Sequence, residues 1–247
     1  MTNGPAVSKG EVLYQGKAKR LYLTNDPQIL WVDYMDQATA FNGEKKDQIQ
    51  GKGALNAKIS AQLFHYLDRH GIPSHFLASV GEVTQLVRRV EIIPLEVVVR
   101  NTAAGSLSKR LGIEEGTDLP APIVEYFYKD DDLGDPLLND EHIELLSLAT
   151  PGEMAQVRTQ ALAVNDALRE LFARAGVKLV DFKLEFGRTP DGQILLADEI
   201  SPDNCRLWEI QSGQKLDKDV YRRGLGDLIP VYEQVHQLLT EALAEVQ

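Results

Sequence analysis

Residues 179–187 (LVDFKLEFG) alternate between apolar and charged side chains. Leucine, valine and phenylalanine interleave there with Asp181, Lys183 and Glu185. Side chains two residues apart on a strand point to the same face. The pattern therefore predicts a strand with one apolar face and one face that carries three charges in a row.

A turn sequence follows this strand. Residues 189–192 read Thr-Pro-Asp-Gly, and Asp-Gly is a strong signal for a two-residue hairpin loop. A loop made of residues 191 and 192 would place Glu185 directly opposite Asp198 on one face. Directly opposed carboxylates destabilise a sheet unless a positive charge lies between them, and Mg²⁺ takes one or two protein carboxylates together with phosphate oxygens and water. We therefore predict a metal and nucleotide site here; the alternative is an exposed hairpin whose charges face water.

Strand and helix signals alternate along the rest of the chain. One predicted helix begins at Gly53, repeats leucine and isoleucine at four-residue steps and stops at Gly71. Another starts with a capping box at Thr150 and Glu153, with proline in the first helical position, and runs to Ala175. Further predicted strands cover residues 12–23 (a hairpin), 31–34, 76–80, 85–90 and 94–100, and closing helices cover 217–224 and 227–245.

The order of these elements, strand-rich first and helix-rich later, indicates an α+β architecture. A chain of 247 residues is long enough for two lobes with a real core. We expect a small β-rich N-terminal lobe over residues 1–90 and a larger mixed C-terminal lobe over residues 91–247.

Composition narrows the possible functions. The formal net charge of -11 argues against a general nucleic-acid binder, which needs a cationic surface. Clustered lysines and arginines in such an acidic chain indicate pockets for small anionic ligands. No stretch has the apolar length of a membrane span. The single cysteine, Cys205, excludes an internal disulfide and fits a reducing, cytoplasmic compartment.

The segment Gly16, Lys17, Ala18 and Lys19 lies between two predicted strands. A glycine in a tight turn lets backbone N–H groups approach a phosphate, and the lysines would neutralise its charge. The spacing of a P-loop is absent. A plain basic hairpin turn explains these residues equally well.

Residues 92–106 (IIPLEVVVRNTAAGS) combine an apolar strand that contains Glu96 with a loop of small residues. Arg100, at the strand end, can fork onto a carboxylate or phosphate, and the loop can bring backbone donors close to a ligand. The alternative is an ordinary strand-to-helix junction in which Ser106 is the helix N-cap.

Four other features are less specific. Residues 201–208 follow the predicted hairpin directly and would bring Asp203 and Arg206 beside the predicted metal site. The acidic residues 129–136 form either a solvated loop or a lid over substrates. Cys205 is a poor candidate nucleophile because no histidine stands in a suggestive relation to it, and the histidines, which show no metal-ligand spacing, are expected to be structural or solvent-facing.

Taken together, these segments resemble the phosphoribosylaminoimidazole-succinocarboxamide synthase (SAICAR synthetase) family over nearly the whole chain. The resemblance is carried by GKAKRLY at 16–22, IIPLEVVVRNTAAGS at 92–106, GDP at 134–136, LVDFKLEFG at 179–187, DEISPDNCRLWE at 198–209 and LDKDVYR at 216–222. The resemblance implies a fold of two α+β lobes, similar to the protein kinase and ATP-grasp arrangements, with ATP in the cleft between them.

The resemblance also implies an ATP-dependent ligase of de novo purine synthesis. ATP would convert the carboxylate of carboxyaminoimidazole ribotide to an acyl phosphate, and the amine of L-aspartate would displace phosphate to give SAICAR, ADP and phosphate. The expected cofactors are ATP and Mg²⁺, and the expected partners are these small molecules, with neither nucleic acid nor a membrane. A cytoplasmic homodimer is expected.

The same resemblance implies roles for individual residues. The expected ATP-binding residues are Gly16, Lys17, Ala18, Lys19, Glu185 and Asp198, of which the last two would also hold Mg²⁺. The expected substrate-binding residues are Arg100, Ser106, Asp135, Asp203, Arg206 and Arg222. The expected catalytic residues are Lys19, Asp181 and Lys183. Lys183 would bridge phosphate and the substrate carboxylate, and Asp181 and Asp203 would orient an amine.

Two rival functions share parts of this pattern. A kinase-like small-molecule phosphotransferase would also have two lobes, a lysine-rich turn and paired carboxylates, but the sequence contains neither an HRD-type catalytic loop nor DFG. A catalytically inactive nucleotide-binding protein would bind MgATP without turnover. The presence of Lys19, Lys183, Glu185 and Asp198 argues against such decay.

Overall fold

The computed structural model describes residues 6–40 and 45–245, and helices and strands alternate along them, which confirms the α+β class. The strands are β1 (Lys9–Gln15), β2 (Lys19–Thr24), β3 (Ile29–Tyr34), β4 (Gln37–Ala40), β5 (Lys45–Gln48), β6 (Phe76–Ser79), β7 (Thr84–Arg88), β8 (Glu91–Ile92), β9 (Leu95–Thr102), β10 (Asp118–Tyr128), β11 (Leu137–Leu138), β12 (Val177–Arg188), β13 (Ile194–Ala197) and β14 (Cys205–Glu209). The helices are α1 (Lys52–Arg69), α2 (Gly105–Leu111), α3 (Asp140–Leu145), α4 (Pro151–Arg174), α5 (Asp219–Arg222) and α6 (Leu228–Ala244).

A five-stranded antiparallel sheet is built from the first part of the chain, in the order β1-β2-β3-β7-β6. Its apolar side chains form a small core of Leu30, Val32, Tyr34 and Val87, closed by Ala57 from α1. The last strand of this sheet along the chain is β7, which ends at Arg88, close to the predicted lobe boundary at residue 90. The division into lobes over 1–90 and 91–247 stays a prediction.

The second sheet is organised around β12. Its strand order is β11-β10-β9-β12-β13, and β12 also pairs with β14 and β8. Phe182, Leu184 and Phe186 on β12 are each 1% exposed, which confirms the predicted apolar face. Asp181 and Glu185, on the opposite face, are each only 3% exposed. The alternative of a hairpin whose charges face water is therefore wrong.

Three long helices cover the apolar face of this second sheet. α4 packs on β12 and β9, while α1 and α6 pack against each other and against α4. Ile59, Leu168 and Leu239, one from each of these helices, lie fully buried in the same core. Among residues 6–40 and 45–245, no helix has the length and apolar character needed to cross a membrane.

Most predicted elements are present with shifted ends. The helices predicted from Gly53, from Thr150 and over 227–245 correspond to α1, α4 and α6, whereas the predicted helix over 217–224 is only the single turn of α5. The sequence reasoning did not identify β10, which contains prolines at positions 120 and 122. Proline cannot donate to a strand ladder, and the pairing of β10 with β9 is irregular between Asp118 and Ile123.

The predicted register of the β12–β13 hairpin is wrong by one residue. Glu185 lies opposite Ala197, not Asp198, and Arg188 lies opposite Ile194. The loop therefore has five residues, 189–193. Its backbone is closed by the N–H of Gly192, which donates to the carbonyl of Thr189 at 2.9 Å. Pro190 thus occupies the second position of a four-residue turn, where its fixed φ is favoured, and Asp-Gly is not the two-residue loop.

The N-terminus of α4 carries the predicted capping box. The hydroxyl of Thr150 accepts a hydrogen bond from the backbone N–H of Glu153, whose carboxylate accepts one from the backbone N–H of Thr150 at 2.7 Å. We expect Thr150→Ala to lower the free energy of unfolding by about 1 kcal/mol, because the backbone N–H of Glu153 loses the hydroxyl that accepts its hydrogen bond. Urea denaturation followed by circular dichroism measures this change.

Thr159→Ala is the matched control, because Thr159 lies exposed in the middle of the same helix. Its effect should stay within about 0.5 kcal/mol. Equal losses in the two variants would show that the box does not stabilise α4.

Candidate active site

Two adjoining cavities lie over the charged face of β12. The larger has a volume of about 820 Å³ and the smaller about 450 Å³. Several residues line both of them: Lys17, Ala18, Glu96, Asp135, Lys183, Asp198 and Glu199. Because they share these walls, the cavities form one continuous site.

Asp181 organises the smaller cavity. It lies in register with Arg100 on β9 and with Arg206 on β14, so both arginines flank it on neighbouring strands. Nη1 of Arg100 donates to Asp181 at 2.8 Å, and Nη1 of Arg206 donates to both of its carboxylate oxygens at 2.9 and 3.1 Å. One buried carboxylate therefore holds two guanidinium groups in the cavity wall. Its predicted catalytic role stays a prediction.

Lys183 stands where the two cavities meet. Its Nζ donates to Glu96 at 2.7 Å and to Glu185 at 3.1 Å. Burial lowers the pKa of Lys183, but the carboxylates of Glu185, Glu96 and Asp198 outweigh this effect and raise it well above its usual value. Lys183 is therefore a fixed positive charge rather than a proton acceptor. Lys129, after β10, also donates to Glu185.

The turn between β1 and β2 lines the larger cavity with all four of its predicted residues, Gly16, Lys17, Ala18 and Lys19. The N–H of Gly16 donates to the carbonyl of Lys19 at 2.9 Å, which closes the turn. Lys19 contacts Asp198 and, at 3.2 Å, Glu199. Burial lowers the pKa of Lys19, yet these two carboxylates raise it well above its usual value. The turn thus presents permanent positive charge to the cavity.

Asp198 follows β13 in a left-handed conformation, with φ 61°, which residues other than glycine rarely adopt. Nε2 of His75 lies 3.0 Å from its carbonyl oxygen and donates to it. Burial, helped by Lys19, lowers the pKa of His75 to about 4, so the ring is neutral at physiological pH. His75 is thus a structural histidine, as predicted, and it supports the backbone that aims Asp198.

The carboxylates predicted to hold a metal both line the larger cavity. Burial raises the pKa of Asp198, but Lys19, Lys183 and Lys129 together lower it well below its usual value. Within the described parts of the chain, no group of three or more His, Cys, Asp or Glu residues is arranged to hold a metal. The donor chemistry of Glu185 and Asp198 nevertheless fits Mg²⁺, which needs only one or two protein carboxylates when phosphate and water complete its shell.

Of the remaining predicted residues, Ser106 is exposed and lines neither cavity. The hydroxyl of Ser106 accepts a hydrogen bond from Nη2 of Arg100 at 2.9 Å. Ser106 is the second residue of α2, whose N-cap is Ala104, so the alternative in which Ser106 caps the helix is wrong. Asp203 and Arg222 line the smaller cavity.

The acidic segment over residues 130–135 lies against the site. Asp131 and Asp135 line the larger cavity, and Asp131 accepts a hydrogen bond from Nζ of Lys17 at 2.6 Å. Asp135 has a φ of 48°, and its carboxylate accepts a hydrogen bond from the backbone N–H of Asp130 at 3.0 Å. The predicted role of Asp135 in substrate binding stays a prediction.

Sequence reasoning did not assign four charged residues that contact the predicted ones: Glu96, Lys129, Glu199 and Lys218. Glu96 carried a usable signal, because it is a charge within an otherwise apolar run, residues 92–99. Glu199 and Lys218 lie within segments that carry the resemblance, 198–209 and 216–222, whereas Lys129 gave no signal, since its partner Glu185 lies far away in sequence. Cys205 is buried, and burial raises the pKa of its thiol well above the usual value. Such a thiol is unreactive, which agrees with the prediction that Cys205 is a poor candidate nucleophile.

Known proteins resemble this chain closely. The family model for SAICAR synthetase matches residues 12–239. A phosphoribosylaminoimidazole-succinocarboxamide synthase of Lysinibacillus sphaericus (strain C3-41) is 58% identical over 226 residues, which cover 92% of this chain and 96% of that protein.

Solved structures agree with the sequence matches. The phosphoribosylaminoimidazole-succinocarboxamide synthase of Ehrlichia chaffeensis is 44% identical, with a TM-score of 0.91 over 93% of this chain and 98% of that one. A SAICAR synthetase (Type-2) in complex with ADP is 46% identical, with a TM-score of 0.91 over 94% of this chain and 98% of that one.

Gly105 sets how close α2 comes to Arg206. Its φ is 54°, and a Cβ atom there would lie only 2.5 to 2.8 Å from the guanidinium atoms of Arg206. We expect Gly105→Ala to lower the free energy of unfolding by about 1–2 kcal/mol for the left-handed backbone and by about 1–3 kcal/mol more for the clash. Chemical denaturation measures the total.

Gly112→Ala is the control, because Gly112 has a similar φ of 66° and nothing within 4 Å of its would-be Cβ. It should show the backbone cost alone. If the two variants lost the same stability, Arg206 would be free to move away, and the fixed geometry described for it would be wrong.

Proposed function

This chain belongs to the SAICAR synthetase family, and on that premise we propose that it joins the carboxylate of carboxyaminoimidazole ribotide to the amine of L-aspartate. The chain is an ATP-dependent ligase of purine biosynthesis. The proposed products are SAICAR, ADP and phosphate. A cytoplasmic location and a homodimeric state, both expected from the resemblance, stay predictions.

One observation carries the proposal: Lys183 stands between two cavities that share a wall. A ligase of this kind must bring the γ-phosphate of ATP against a carboxylate of a second molecule. A fixed ammonium at the junction contacts both groups at once. Phosphoryl transfer depends chiefly on such alignment and charge neutralisation.

The larger cavity suits the nucleotide. Leu21, Leu30, Val32 and Val87 give it an apolar wall for a base, and the turn of residues 16–19 gives it lysines and backbone donors for phosphates. In the SAICAR synthetase (Type-2) that resembles this chain, the bound molecule is ADP. We therefore assign ATP to this cavity.

The smaller cavity suits the ribotide. Arg100, Arg206 and Arg222 line it, and guanidinium groups bind phosphate through two parallel hydrogen bonds. Nε of Arg206 is held by Asp219 at 3.1 Å, and Nη1 of Arg222 by the same carboxylate at 2.7 Å. The arginines are thus aimed before the ligand arrives, which lowers the ordering cost of binding.

We assign Mg²⁺ to Glu185 and Asp198. When bound, the ion would neutralise phosphate charge during phosphoryl transfer. Glu185 and Asp198 otherwise accept hydrogen bonds from Lys183, Lys129 and Lys19. These lysines would turn toward the phosphates once the carboxylates have a cation of their own.

The proposed reaction then proceeds in two steps. A carboxylate oxygen of the ribotide attacks the γ-phosphorus of ATP, the bond to the bridging oxygen breaks and ADP leaves. The amine of L-aspartate next attacks the acyl carbon, phosphate leaves with the bonding electrons, and the nitrogen loses a proton to phosphate or to Asp181. Lys183 stabilises the charge that moves onto the transferred group and the carbonyl oxygen.

The kinase-like alternative is not favoured. It would require a phosphorylated acceptor as the final product, whereas the family to which the chain belongs comprises synthases. The two reactions differ in their dependence on L-aspartate and in whether the phosphate is released.

The deciding assay measures ADP, inorganic phosphate and SAICAR with MgATP and carboxyaminoimidazole ribotide, with and without L-aspartate. We expect sustained ADP release only when aspartate is present, with one SAICAR and one phosphate for each ADP. ADP release that ignores aspartate, or a stable phosphorylated acceptor, would overturn the proposal in favour of a phosphotransferase.

The metal assignment has its own prediction. Glu185→Gln and Asp198→Asn should each lower kcat on the order of 10²-fold or more, because each removes negative charge that holds the ion. Asp166→Asn, at an exposed position on α4, is the control and should leave kcat unchanged. Losses below tenfold in both site variants would refute the assignment.

A further inference from the structure

Two buried side chains hold Asp203 from behind. Nζ of Lys52 lies 2.6 Å from one carboxylate oxygen of Asp203, and the hydroxyl of Tyr232 donates to the other oxygen at 2.6 Å. Lys52 and Tyr232 are both 0% exposed. Neither is among the residues that line the two cavities described above, whereas Asp203 lines the smaller one. The two residues can therefore act on a ligand only through Asp203.

The three residues come from separate parts of the chain. Lys52 is the first residue of α1, Tyr232 lies on α6, and Asp203 lies in the turn before β14. α1 and α6 pack directly against each other. The orientation of Asp203 in the cavity wall is thus set by this helix pair.

The position of Lys52 is unfavourable for α1 itself. A helix N-terminus already carries partial positive charge, which repels a cation. The first turn of α1 contains no acidic residue of its own, although the carboxylate of Asp36 accepts a hydrogen bond from the backbone N–H of Gly53 at 2.9 Å. A fully buried ammonium is costly unless a partner compensates it. Asp203 is the partner that compensates this ammonium. The arrangement is therefore explained by the effect of Lys52 on the Asp203 carboxylate.

We propose that Lys52 and Tyr232 are positioning residues that keep Asp203 ionised and aimed at an amine of the imidazole ribotide, an inference that rests on the proposed function. An ionised carboxylate accepts hydrogen bonds through both oxygens, whereas a protonated one must donate one. Lys52 contacts one oxygen of Asp203 and Tyr232 the other, so each oxygen keeps acceptor capacity, and Asp203 lines the smaller cavity. The amine donors of the ribotide match these acceptors.

The charges around Asp203 set the expected response to pH. Burial raises the pKa of this carboxyl, while Lys52, then Lys218 at 3.5 Å and the Tyr232 hydroxyl lower it to a value well below the usual range. Arg222, Glu199 and Asp217 lie one step further out, where they act on Lys218 and Tyr232. Without Lys52, burial would oppose mainly the single charge of Lys218.

These charges determine the direction in which pH changes the activity of a Lys52 variant. In the wild type, the pKa of Asp203 is so low that its protonation leaves no mark on the rate near neutral pH. In Lys52→Met the pKa of Asp203 rises, so the carboxyl becomes protonated as the pH falls. Activity of the variant should be lost at mildly acidic pH and should recover as the pH is raised.

The test compares Lys52→Met, Tyr232→Phe and wild type in the ligation assay between pH 5.5 and 9. We expect Lys52→Met to lower kcat/KM for the ribotide at least tenfold at pH 6.5, chiefly through KM, with the deficit shrinking at pH 9. We expect Tyr232→Phe to raise the ribotide KM about threefold to tenfold. The KM for ATP should stay within twofold in both variants, because the larger cavity is untouched.

Two controls separate positioning from a general structural effect. Lys58→Met removes an exposed lysine from the same helix, and Tyr66→Phe removes a hydroxyl from a buried tyrosine of α1. Both should match wild type in KM and in pH profile.

The possible results separate a failure of the proposed function from a failure of the positioning role. A wild type that makes no SAICAR contradicts the proposed function itself. A wild type that ligates, together with Lys52→Met and Tyr232→Phe enzymes whose ribotide KM and pH profile match it, overturns the positioning role alone. A loss in kcat only, equal at every pH and for both substrates, also overturns it, because partial unfolding would produce that result.

Discussion

The burial of charge on one face of β12 is the constraint on which the rest of the site depends. A strand in the middle of a sheet cannot bury Asp181, Lys183 and Glu185 unless each one finds an opposite charge. The neighbouring strands supply these charges in register: Arg100 and Arg206 flank Asp181. The active site is thus the place where the central strand of the fold is neutralised.

This neutralisation also prepares the site for highly charged ligands. Lys19, Lys129 and Lys183 are paired with carboxylates of the same wall. Under the proposed function, phosphates would pair with these lysines and a metal ion with these carboxylates. Binding would then add little net charge to the buried site. A pairing of this kind explains how a chain with a formal net charge of -11 provides a cavity for anions.

The helices contribute to the site as well as to the core. α1 and α6 bury apolar side chains in the main core, and their residues Lys52 and Tyr232 contact Asp203 in the wall of the smaller cavity. Packing of the helices and the aim of Asp203 are therefore linked. A substitution that shifts these helices against each other is therefore expected to change the position of Asp203 in the proposed ribotide site.

Much of this could be predicted from sequence, because it depends on local patterns. The alternation over residues 179–187, the capping box at Thr150 and the stop near Gly71 depend on neighbouring residues alone. The predicted register of the hairpin was wrong because the turn that contains Pro190 and Gly192 belongs to a longer loop. The Asp-Gly signal alone does not decide between this turn and a two-residue loop. The ion-pair partners of Lys129 and Lys52 could not be predicted, since they are distant in sequence and only the fold brings them together.

The central claim is that two substrates meet at Lys183. A crystal structure with Mg²⁺, a non-hydrolysable ATP analogue and carboxyaminoimidazole ribotide tests it directly. We predict triphosphate in the turn of residues 16–19, ribotide in the smaller cavity, and Nζ of Lys183 within hydrogen-bond distance of both the γ-phosphate and the ribotide carboxylate. Ligands bound in separate places, with Lys183 still paired only to Glu96 and Glu185, would contradict the claim.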